Sequence, residues 1–144
     1  MTIAVRYYSR SGNTEKIAKA IATEAGVQAE DVSVPLAVKT DLLFLGSALY
    51  AGGVDKAVKK FLVGNKDNIG TIYNFSTSAS PSSTYKAVKK VADKNGIALS
   101  ETAFDCRGKF LFMHKGHPDE ADVAAAVEFA QKVLYNPGGE QSAE

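Results

Sequence analysis

The sequence predicts a doubly wound α/β domain, a parallel sheet of five strands with helices on both faces. Three observations carry this expectation. Short apolar runs alternate with stretches of helical spacing along the chain, the pattern of a parallel sheet covered on both sides. The run Asp41–Gly46 is apolar enough for the centre of such a sheet,. Three loops that leave strands share a small, hydroxylated, glycine-rich composition, and ligands of doubly wound sheets bind where strands end at their carboxyl edge,.

Each element follows from spacing. Residues 1 to 8 are mostly apolar or aromatic and form the first strand. From Asn13 to about Ala25 a helix places Ile17, Ala20, Ile21 and Ala25 on one face and Glu15, Lys16, Lys19 and Glu24 elsewhere, and Gly26 stops it,. Asp31–Val34 reads as the second strand and Asp41–Gly46 as the third. Only Pro35–Thr40 joins them, whereas a crossover helix takes about a dozen residues, so this helix is expected to be reduced to a turn or absent,. Val54, Ala57, Val58, Phe61 and Leu62 form an apolar helical stripe with Lys56, Lys59 and Lys60 outside it,. Ile69–Phe75 is the fourth strand. Ser82 to about Asn95 is the next helix, with Tyr85, Val88, Val91 and Ala92 inward and Asn95-Gly96 as its stop. Ile97–Met113 holds two apolar runs around Asp105-Cys106-Arg107-Gly108, expected as one long last strand that bends or breaks at the glycine. Pro118-Asp119-Glu120 opens a final helix, with proline in the first turn and acids near the positive end of the dipole,. Val123, Val127, Ala130 and Leu134 give that helix its stripe. Residues 1–136 read as one domain and 137–144 as a flexible tail.

Bulk properties narrow the function. A chain of 144 residues makes about one domain, able to bury roughly two thirds of its unfolded surface,. With 45% hydrophobic and 23% charged residues it reads as an ordinary globular protein,. A net charge of +1 gives no support to nucleic-acid binding,. The longest apolar run is far too short to span a bilayer,. Arg6 interrupts the only apolar start, so no secretory signal is expected,. One cysteine, Cys106, permits no internal disulfide, which makes the cytoplasm the expected location,.

The first loop, Ser9-Arg10-Ser11-Gly12-Asn13-Thr14, offers hydroxyls, a glycine and the free N–H groups of a starting helix, the requirements of a phosphate site,. It lacks both the Gly-x-x-x-x-Gly-Lys-Ser/Thr loop of a triphosphate site and the Gly-x-Gly-x-x-Gly of a dinucleotide site,. Its plainer reading is an ordinary helix cap. Strand, Ser-Arg-Ser-Gly-Asn-Thr and helix together resemble the phosphate loop of flavodoxins, a Ser/Thr-x-Ser/Thr-Gly-x-Thr turn. Gly46-Ser47-Ala48-Leu49-Tyr50-Ala51-Gly52-Gly53 is similar to that family's second flavin loop. The resemblance implies strand order 2-1-3-4-5 and noncovalent flavin mononucleotide (FMN). It assigns the phosphate to the first loop and the ring to the second, with Tyr50 stacked on it and the Ala51–Gly53 backbone contacting its reactive nitrogen. A third contact is expected from Ser76-Thr77-Ser78. The implied activity is electron transfer, cycling the flavin between oxidised, semiquinone and hydroquinone states, with a redox protein or small electron donor or acceptor as partner.

Two departures from flavodoxins point to an alternative. The third loop, Ser76–Ser83, holds no aromatic residue, Tyr85 lying in the next helix, and the chain is neutral where flavodoxins tend to be strongly acidic. Both fit a small FMN-dependent NAD(P)H or quinone-type reductase. A third possibility is an interaction module that has lost its flavin, against which Ser9, Ser11, Gly12 and Thr14 stand intact. Cys106 reads as a buried small residue and His114 and His117 as loop residues, with no metal-ligand spacing,. No catalytic side chain is expected, because a flavin carries the hard chemistry itself.

Overall fold

The computed structural model describes residues 1–10, 12–48, 53–78, 84–107 and 120–135. Among them are strands β1 (Ile3–Tyr7), β2 (Ala29–Asp31), β3 (Thr40–Ala48), β4 (Ile69–Ser78), β5 (Ala98–Leu99) and β6 (Phe104–Arg107). The helices are α1 (Asn13–Ala25), α2 (Lys56–Gly64), α3 (Tyr85–Asn95) and α4 (Glu120–Tyr135). The strands pair in parallel in the order β2-β1-β3-β4-β5, with β6 also beside β4. This is the predicted order.

Alternation along β3 sends side chains to two cores. Leu42 and Phe44 join Val5, Ile17, Ile21, Phe75, Phe129 and Val133 under α1 and α4. Leu43 and Leu45 join Val58, Phe61, Leu62, Ile72 and Val88 under α2 and α3,. Every one of these residues is at most 3% exposed except Phe129 and Leu42, so a central strand buried on both faces is what the apolar run encodes,.

The crossover between β2 and β3 has no helix, as the short spacer predicts. Residues 32–39 therefore leave backbone groups without regular partners, and side chains supply them. The Arg6 guanidinium donates to the carbonyls of Val34 (2.8 Å) and Pro35 (3.1 Å). Asn65 Oδ1 accepts from the Leu36 N–H at 3.0 Å, and Asn68 donates to the Leu36 carbonyl at 3.3 Å. Burial pushes the Arg6 pKa down, partly offset by Glu30, yet its hydrogen bonds hold it in place.

Four expectations are corrected. The second strand lies at Ala29–Asp31 rather than Asp31–Val34, because Asp31 closes a turn, its carboxylate taking the Ser33 N–H at 2.7 Å and its carbonyl the Val34 N–H at 2.9 Å,. The last strand position breaks at residues 100–103, ahead of Gly108. There the Thr102 N–H bonds the Ser100 hydroxyl at 3.0 Å, and β5 and β6 pair with successive stretches of β4,. The inward face of α1 is Thr14, Ile17, Ala18, Ile21 and Ala22, so Ala20 and Ala25 lie off it. The inward face of α4 is Ala126, Phe129, Ala130 and Val133, with Val123 and Leu134 packed against that core and Val127 off the face. Alanine is the common cause, since it satisfies either face of a helix and the large residues decide. Phe129 decides α4, its ring 5.8 Å from both Phe44 and Phe104,. The expected start of α3 at Ser82, the apolar run after Gly108 and the tail lie outside the described residues.

Candidate functional site

Parallel register lines up the strand ends. Tyr7, Gly46, Phe75 and Phe104 form one row across the sheet, and Ser47, Ser76 and Asp105 the next. Apolar rows thus give way to polar ones at the carboxyl edge. The Ser76 hydroxyl donates to Asp105 at 3.3 Å, while the Ser47 hydroxyl is buried with no hydrogen-bond partner among the described residues. Gly46 is demanded by packing, because a Cβ there would stand 2.1 Å from the buried Phe75 ring.

The first loop sits at the same edge. Gly12 takes a left-handed conformation (φ 93°), which brings the Ser9 hydroxyl to its N–H at 2.9 Å and starts α1 without any side-chain cap,. Gly12 thus offers no side-chain cap of the ordinary kind at the start of α1,. Asn13 opens the helix. Thr14 turns inward, 1% exposed, and its hydroxyl meets that of Thr77 at 2.7 Å, tying the first turn of α1 to the end of β4.

A second tie runs sideways. Arg10 reaches Asp55 at 2.8 Å, and Asp55 accepts the Ala57 N–H at 2.9 Å as the N-cap of α2. The Ala57 N–H, then Arg10, hold the Asp55 carboxyl below its ordinary value. Asp55 and Asp105 were not among the expected site residues. Asp55 lies inside the predicted stripe that opens at Val54, and only the observed start of α2 at Lys56 makes it the N-cap, while the β4–β6 register reveals Asp105,.

Of the predicted site residues, the structure thus brings Ser9, Arg10, Gly12, Asn13 and Thr14 together with Ser47, Ala48, Ser76, Thr77 and Ser78 at one edge. Gly53 lies just before α2. Ser11, Leu49, Tyr50, Ala51 and Gly52 lie outside the described residues, as do His114 and His117. No cluster of metal-binding side chains and no helix long and apolar enough to cross a membrane occurs among the described residues.

Comparison with known proteins agrees with this architecture. The chain is 33% identical over 141 residues to an uncharacterized protein of Methanocaldococcus jannaschii, covering 86% of this chain and 91% of that one. Its fold superposes on a flavodoxin from the domain Archaea with a TM-score of 0.75 at 17% identity, over 94% of this chain and 97% of the other. It also superposes on a flavoprotein of Lactobacillus acidophilus solved in complex with FMN, with a TM-score of 0.61 at 19% identity, over 75% and 93%. Residues 4–107 match the flavodoxin domain. A hydroxylated turn into α1, the 2-1-3-4-5 sheet and this match over most of the chain together make the protein a member of the flavodoxin domain family.

Proposed function

We propose that the protein binds FMN noncovalently at the carboxyl edge of β1, β3 and β4 and serves as an electron carrier. The observation that carries this reading is the uncapped start of α1 at Gly12, set among hydroxyls. The donor count suits a phosphate. Ser9 spends a lone pair on the Gly12 N–H and keeps its own proton to donate,. Thr14 and Thr77 share one proton between their oxygens, so the second hydroxyl proton of the pair stays available,. Amides at the start of α1, with Ser11 and Asn13, complete a cradle that needs no paired cation. Arg10 acts as a strut to Asp55 that fixes the spacing between the first loop and α2.

The second loop, Ser47 to Gly53, with Tyr50 as its aromatic, and Ser76-Thr77-Ser78 flank the ring. The unpartnered Ser47 hydroxyl is a polar group waiting for such a neighbour,. Bound FMN supplies one- and two-electron redox chemistry. What the chain contributes is binding, exclusion of water and a fixed field of backbone dipoles around the ring.

The test is anaerobic photoreduction of FMN-loaded protein followed by visible spectroscopy, beside a sample given NADH or NADPH alone. A persistent long-wavelength band with no bleaching by nicotinamide is the expected result. Rapid bleaching by a nicotinamide, with no such band, would make the protein a reductase. Failure to retain FMN would end the flavin reading itself.

A further inference from the structure

We propose that the groove between α2 and α3 is a docking surface for an acidic protein. The groove has a volume of about 570 Å³ and is lined by Lys59 of α2 and by Lys86, Lys90 and Lys94 of α3, with Val63 and Val91 among its apolar walls. The three α3 lysines are spaced by four residues, one row whose backbone positions are about 6 Å apart along the helix,. None of the four forms an ion pair among the described residues. The two helices together carry seven lysines against a single acid, Asp93, which is already held by Lys89 at 3.2 Å. Val63, beside the lysines, is 49% exposed.

Like charges converging on a groove repel one another, and a surface of carboxylates relieves that repulsion while steering the approach. The apolar walls add area that such a partner buries. A nucleic acid fits less well. The lining contains neither an arginine nor an aromatic residue for phosphate forks or base stacking,. The helices of the opposite face, α1 and α4, carry five acids against three lysines, and a long polyanion would meet their repulsion.

Gly53 is among the residues that line the groove, so a docked partner reaches the last residue of the loop assigned to the flavin ring. The redox purpose of this surface rests on the FMN reading; the docking itself does not.

The experiment titrates isotope-labelled protein, with and without FMN, with a short poly-L-glutamate peptide and separately with a single-stranded oligonucleotide of equal charge, reading amide shifts by NMR. Poly-glutamate is expected to shift amides of Lys56–Gly64 and Tyr85–Asn95. Its affinity should fall at least about tenfold in K59E/K86E/K90E and on adding salt, with K16E/K132E on the other face unchanged. The glutamine set K59Q/K86Q/K90Q, checked by circular dichroism, separates lost docking from lost folding. Shifts spread over both faces, equal affinity in all variants or tighter binding of the oligonucleotide would each overturn the proposal. Loss of FMN binding with docking intact would overturn only the flavin reading.

Discussion

On one face of the sheet α1 and α4 cover Val5, Phe44 and Phe75; on the other α2 and α3 cover Leu43, Leu45 and Ile72. The first face holds the phenylalanine cluster, and its helices carry a net of −2 outside. The second is mainly aliphatic within, and its helices carry a net of +6. Packing and surface charge are thus set separately on the two faces, and the overall charge of +1 conceals a molecule polarised across its sheet.

The comparison breaks most visibly in the cores. Phe44→Ala should destabilise by about 3–5 kcal/mol and Leu43→Ala by about 2–5 kcal/mol, each as a single transition in urea followed by circular dichroism. A biphasic transition in either variant would show the faces to be independent units. Gly46→Ala drives a methyl into the Phe75 ring and should cost about 1–3 kcal/mol, with much of the loss recovered when Phe75→Leu is added,. Recovery of nothing would put the strain elsewhere.

Thr14→Val strands the buried Thr77 hydroxyl. It should cost about 1–3 kcal/mol in thermal unfolding and weaken FMN at least about tenfold by fluorescence titration,. Unchanged FMN affinity would remove this residue from the phosphate site. The charge difference is sharpened by Lys90→Gln, expected to alter stability by no more than about 0.5 kcal/mol. The smallest effect concerns pH. The Asp55 carboxyl is lowered in the folded state, so its contribution is full above its ordinary value near 3.8 and disappears as pH falls through the lowered one,. Asp55→Asn should therefore lower the melting temperature at neutral pH and flatten the acid limb of its profile, the difference from the parent disappearing at low pH,.

Much of this was legible in the sequence. The limits of α1, the stops at Gly26 and Gly96 and the missing crossover helix follow from local chemistry, whereas the strand order rests on the resemblance to flavodoxins. Local chemistry falls silent where alanines leave a helix face undecided, as in α1 and α4, and where a polar residue finds a distant partner. Arg6 reads as an interruption of a strand until the 32–39 linker is seen around it. Ser9, Gly12 and Thr14 were legible as a phosphate loop, whereas the Thr14–Thr77 and Arg10–Asp55 ties join residues 63 and 45 positions apart. The lysines were visible one helix at a time, and read singly they are a solvated face. Only the winding of the chain sets α2 and α3 side by side.

The linker held by Arg6 has a consequence for how the molecule opens. Apart from its core anchors Val32 and Leu36, the segment is fastened by a few side chains instead of a ladder of its own, so it can loosen before the sheet does,. Its amides should exchange hydrogen for deuterium well before those of β1 and β3, and a protease admitted there would find a cut site between β2 and β3. The place where the chain omits a helix is thus also the place where an inserted segment would be most easily accommodated.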